Sequence, residues 1–161
     1  DVLAAGRRLG IVVLGLTVGL LSASPALAQA APAAQATPVS NQRLFPNDGA
    51  MVLNFIKPDK AADFEFVMGK LKEALAKSEK PERKQQAAGW KVFKSPDPAG
   101  ANLLYVFIID PALKGADYQV SNIIAESFTG AEANDILTKY AAAYAQGMNI
   151  VNLTVLQELG K

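Results

Sequence analysis

The sequence predicts an α+β domain that follows an export segment. Three observations lead there. Short apolar stretches and amphipathic stretches alternate in the order β-α-β-β-α-β. The two strongest strand segments are apolar on both faces. An uncharged run of 13 residues near the start, Leu9 to Leu21, ends at a small-residue cleavage pattern.

Arg7 and Arg8 precede that run, and Ser22-Ala23-Ser24-Pro25 breaks it. At about 1.5 Å per residue the run reaches only ~20 Å, against ~30 Å of membrane hydrocarbon, so a cleaved signal fits better than a spanning helix. Ala26-Leu27-Ala28 suits signal peptidase, which places the cut between Ala28 and Gln29. The arginine pair also fits the twin-arginine route, although nothing else around it supports that route. No cysteine follows the cut, so lipid attachment there is excluded. Residues 1–28 are thus expected to be a signal peptide that leaves a bacterial periplasmic or secreted protein with no stable membrane anchor. Residues 29–43, rich in alanine and proline, read as a disordered tether, because they hold too little apolar surface to offset the entropy of ordering. The folded domain is expected over 44–161.

Ala50 to Lys57 (AMVLNFIK) reads as the first strand, ended by Pro58-Asp59. Asp59 is placed to cap a helix running to about Lys80, with Phe64, Val67, Met68, Leu71, Ala74 and Leu75 on its apolar stripe. Pro81 limits that helix. Gly89 to Lys94 (GWKVFK) alternates as a second strand, and Ser95 to Gly100 is a turn by composition. Asn102 to Ile109 (NLLYVFII) is the strongest strand, stopped by Asp110-Pro111. An irregular stretch, Leu113 to Tyr118, leads to a short helix over Val120 to Phe128. Thr129-Gly130-Ala131-Glu132 has capping-box spacing for a helix from Ala131 to about Gln146, with Ala133, Ile136, Leu137, Tyr140 and Tyr144 inward. Gly147 is placed to stop it, and Asn149 to Leu156 is the last strand.

Two split βαβ units in this order make a ferredoxin-like domain: a four-stranded antiparallel sheet with the helices on one face. The uncovered face should then turn polar. It does not, because Met51, Leu53 and Phe55 oppose Val52 and Ile56, and Leu104, Val106 and Ile108 oppose Leu103, Tyr105, Phe107 and Ile109. A bare apolar face of that size is a liability, and a second copy of the sheet is the simplest cover. On this element order and on the segments MVLNFIKP, GWKVFKSP and NLLYVFIIDP, the chain resembles the dimeric α/β-barrel superfamily, whose protomers pack sheet to sheet. The resemblance covers Ala50 to Leu156 and implies fold and homodimerisation. That superfamily includes antibiotic-biosynthesis-type monooxygenases, haem-degrading enzymes and chlorite dismutases.

The chain has no histidine and no cysteine. That removes Ser-His-Asp and Cys-His nucleophilic sites, ordinary zinc sites, and the histidine that many haem-binding members of the superfamily use for iron. No acidic cluster has a recognisable metal spacing and no glycine-rich phosphate loop is present, so neither metal nor cofactor is expected. The chain has 16 basic and 15 acidic residues, and the part beyond Ala28 has 14 of each, which gives no electrostatic reason to seek nucleic acid or an anionic membrane. Interleaved charges over Lys70 to Lys84 read as a solvated face.

The candidate pocket-lining residues are Asn54, Trp90, Tyr105 and Tyr118. Asn54 is the polar residue inside the first strand, so it reaches a partner or lines a cavity. Trp90 is the sole tryptophan and reads chiefly as a packing anchor. Tyr105 and Tyr118 could border the same space, with packing as the competing role. The expected function is a homodimeric exported domain that binds a small apolar ligand or a protein partner without catalysis. The alternative is a cofactor-independent oxygenase of the antibiotic-biosynthesis monooxygenase type, implied by the resemblance of Asn54 to a first-strand asparagine there.

Overall fold

A computed structural model describes residues 41–160. The expected export signal, 1–28, and most of the expected tether, 29–43, lie outside the described residues. Strands β1 (Gly49–Ile56), β2 (Trp90–Lys94), β3 (Leu103–Ile109) and β4 (Asn149–Leu153) form one four-stranded sheet in the order β2-β3-β1-β4. Every neighbouring pair is antiparallel. Helices α1 (Ala61–Lys77), α2 (Pro81–Gly89), α3 (Val120–Ser127) and α4 (Gly130–Ala143) complete an α+β domain, with α1 packed against the other three.

The alternation in the strands works as the sequence reading requires. Val52, Asn54 and Ile56 of β1 and Tyr105, Phe107 and Ile109 of β3 are at most 3% exposed beneath the helices. Phe64, Val67, Leu71, Ala74 and Leu75 of α1 press onto that face. Phe64 is the centre of the contact, with its ring against those of Tyr105, Phe107, Tyr140 and Tyr144. The registers put Met51, Leu53, Phe55, Phe93, Leu104, Val106, Ile108, Val151 and Leu153 on the other face. No helix of the described residues covers that side, and Phe93, Val151 and Leu153 are 51, 40 and 38% exposed.

Several local expectations need correction. The first long helix ends at Lys77 rather than Lys80, and the separate helix α2 follows it. Pro81 fits the first turn of α2, where its missing N–H costs nothing, and Glu82 in that turn faces the positive helix end. The inward residues of α2 are Arg83, Gln86 and Gly89, so the apolar pattern that reveals other helices is missing here. Asp59 lies in a single 3-10 turn, Pro58–Lys60, and caps nothing; α1 starts after Lys60 without a side-chain cap. The Thr129 capping box does not form either. Gly130 takes a positive φ of 59°, so the chain does not enter α4 with the backbone a capping box needs. Glu132 instead accepts a hydrogen bond from Lys70 at 2.8 Å. The helix ends at Ala143, ahead of Gly147, because Tyr144 has turned extended and bridges to Ile56 of β1.

The folded part also takes in Arg43, which the sequence reading leaves in the tether. The Arg43 backbone N–H donates to Asp117 Oδ1, its carbonyl accepts from the Tyr118 N–H, and Phe45 beside it is 2% exposed. Arg83 clamps the same segment from the other side. Its guanidinium donates twice to the Glu126 carboxylate of α3, at 3.1 and 2.7 Å, and once each to Gln86 Oε1 and the Asp117 carbonyl. Gly89 closes this corner, since a Cβ there would stand 2.6 Å from the Pro111 carbonyl oxygen.

Candidate functional site: an apolar groove at the edge strand

The four sequence candidates all point to the helix-covered face or its margin, but they do not meet in one cavity. Asn54 is fully buried. Its amide nitrogen donates to the Val52 and Tyr105 carbonyls, and this fixes Oδ1 toward the Tyr144 hydroxyl at 2.9 Å. The Tyr144 and Tyr140 hydroxyls are 2.8 Å apart. A hydroxyl carries one hydrogen, so Tyr144 donates to Asn54 and Tyr140 donates to Tyr144. Burial raises both phenol pKa values above their ordinary range. The Asn54 amide is thus spent on holding β1, β3 and α4 together.

Tyr105 donates to Glu65 Oε1 at 2.6 Å, and Lys94 meets the same oxygen at 2.8 Å. Lys94 and Tyr105 together hold the Glu65 carboxyl below its ordinary value, while burial and that carboxylate raise Tyr105. Tyr118 accepts the Leu113 N–H at 2.8 Å, and its ring packs on Phe45 and Trp90. Tyr118 and Trp90 share a cavity of about 10 Å³ with Arg43, Phe45 and Tyr140, room for about one water.

Trp90 has a second environment. It opens β2, which is an edge strand. There the helix layer does not reach fully over the sheet, and a groove of about 450 Å³ lies between α1, α2 and β2. Met68, Leu71, Lys72, Leu75 and Ala76 line it from α1, Ala87 from α2, and Trp90 and Val92 from β2. The α1 residues fall at intervals of three and four, so they form one helical stripe. The groove is within the range of small-molecule sites, which run roughly 300–1,000 Å³ and are mostly apolar with a few polar groups. The Trp90 indole N–H is buried and has no acceptor among the described residues. A buried donor left unpaired costs about 1–3 kcal/mol.

Sequence reasoning picked out Trp90 but not its companions. Met68, Leu71 and Leu75 were legible as a helix stripe and read as core. That the stripe continues past the core into an open groove depends on how far α1 overhangs β2, which no local pattern encodes. Among the described residues, no group of histidine, cysteine or carboxylate side chains is arranged to hold a metal ion, and no helix is long and apolar enough to cross a membrane. No family model matches the chain, and neither the curated proteins nor the solved structures give a match.

Proposed function

We propose that this chain is an exported, homodimeric, ferredoxin-like domain that binds a small apolar ligand without catalysing its conversion. The groove beside Trp90 carries the reading: it is of ligand size, open to solvent, and lined almost wholly by apolar side chains. The order β2-β3-β1-β4, with β3 inserted between β1 and β2 and β1 between β3 and β4, supports the ferredoxin-like assignment. The four helices are then two crossover connections, each in two pieces. Export rests on residues 1–28.

A second copy of the chain is the partner that fits the open sheet face. That face is apolar across all four strands, with Lys91 the only charged strand residue in its registers. It continues into the exposed Val155 and Leu156 of the C-terminal segment, so a partner must bring an equally apolar surface. Each protomer carries such a surface. The polar groups of Asn54, Tyr105, Tyr118 and Tyr144 support a non-catalytic role, since each is already hydrogen-bonded within the protein.

Native mass spectrometry of the protein recovered from its own periplasm, with a separate turnover assay, tests the reading. A dimer mass with a retained small molecule is expected. A bare monomer at micromolar concentration would remove the homodimer, and turnover of a quinol-like substrate without added metal would replace binding with catalysis.

A further inference from the structure

The groove has one charged wall residue, Lys72. Helix α1 carries three lysines, Lys70, Lys72 and Lys77. Lys70 pairs with Glu73 and Glu132, and Lys77 pairs with Glu73. Lys72 makes no ion pair among the described residues, and its helical neighbours at three and four residues explain why. They are Met68, Gly69, Leu75 and Ala76, none of them acidic, and three of these line the groove with it. The exposed lysine therefore stands at an apolar wall with no ion-pair partner among the described residues.

From this we infer that the groove is built for an amphipathic anion. The apolar part lies against Met68, Leu71, Leu75, Ala87, Trp90 and Val92, and a carboxylate or similar head group sits on Lys72. The inference names the ligand class of the groove described above and rests on that reading. A neutral apolar molecule would fill the same space but make no use of the Lys72 charge. A purely ionic ligand would gain only an exposed ion pair, which is worth little. Only a molecule carrying both parts uses the whole site.

Trp90 is the sole tryptophan, so its emission reports groove occupancy directly. The full chain is titrated with octanoate and, separately, with 1-octanol. Saturable changes are expected with both, octanoate binding about fivefold more tightly, the difference expected of one exposed ion pair. That preference should shrink as salt is added. In Lys72→Gln the two probes should bind alike, at the octanol affinity of the native chain. Gln matches Lys in helix propensity, so the variant keeps α1 intact. Ala87→Phe, which fills the groove, should abolish both signals. Equal binding of the two probes to the native chain overturns the anion inference and leaves the groove standing. No saturable change with either probe removes the groove reading and the inference with it.

Discussion

The two faces of the sheet are built from the same strands and are almost equally apolar, yet they have opposite fates. On one face Val52, Ile56, Phe107 and Ile109 are at most 3% exposed, and Asn54 and Tyr105 find hydrogen-bond partners. On the other, Phe93 is 51% exposed and Val151 40%. The alternation of a single strand cannot distinguish them, because each face offers the same kind of surface. What differs is the covering layer: one face receives four helices, and no helix of the described residues covers the other. Apolarity on both faces of a sheet is thus a statement about a missing cover, and the groove beside Trp90 is the margin where the existing cover stops short.

The strongest way to sharpen that contrast is to remove the centre of the cover. Phe64→Ala should cost about 3–5 kcal/mol, since the ring is fully buried against Tyr105, Phe107, Tyr140 and Tyr144. A lowered urea midpoint at unchanged slope would show it; a shift under 1 kcal/mol would mean that the helices do not grip the sheet there.

The next effect concerns the clamp between α2 and α3. Burial alone would raise the Glu126 carboxyl, but the Arg83 and Lys80 hydrogen bonds outweigh it and hold the group below its ordinary value. A carboxylate depressed in the folded state contributes stability above its unfolded pKa, about 4.3, and loses it as pH falls through the lower folded value. Glu126→Gln should therefore cost about 2 kcal/mol at neutral pH, and its deficit should narrow as the pH drops below 4. A deficit that stays constant down to pH 2 would assign the loss to packing instead.

Tyr144→Phe tests the polar seam in the covered face. Asn54 Oδ1 would be left buried without its donor, and a loss of about 1–2 kcal/mol is expected in thermal or chemical unfolding. An unchanged midpoint would mean that water has replaced the hydroxyl.

The smallest effect on the protomer belongs to the open face, and it is the one that could break the comparison. Val106→Lys should change protomer stability by less than about 1 kcal/mol, because it leaves the helix-covered core untouched. Sedimentation equilibrium should instead show the proposed dimer dissociating. If the variant unfolds as readily as Phe64→Ala while remaining the same size, something other than a second copy covers that face.

Legibility followed apolar periodicity. The four strands were readable to within a few residues, and the stripe on α1 was correct through Leu75, because burial there is imposed by residues that avoid water. Helix α2 escaped because its inward side chains are Arg83 and Gln86, whose burial depends on Glu126 and on the Asp117 carbonyl, 43 and 34 residues from Arg83. The capping box at Thr129 was a correct motif in a setting that overruled it, with Gly130 turned to positive φ and Glu132 drawn to Lys70. Among the candidate residues, Asn54 was legible as a buried polar group in need of a partner. That its partner is Tyr144, 90 residues away, was not.

The sequence by itself determined the strands, their two apolar faces, the main helical stripe, and the lack of histidine and cysteine chemistry. These are local or compositional, and local sterics and solvent preference suffice to write them. Only the tertiary structure decided that Asn54 is spent on the core, that Arg43 joins the fold, and that α1 overhangs the edge strand incompletely to leave a groove with Lys72 on its wall. Those outcomes depend on distances between segments far apart in the chain, and such distances follow from how whole faces pack rather than from any run of neighbouring residues.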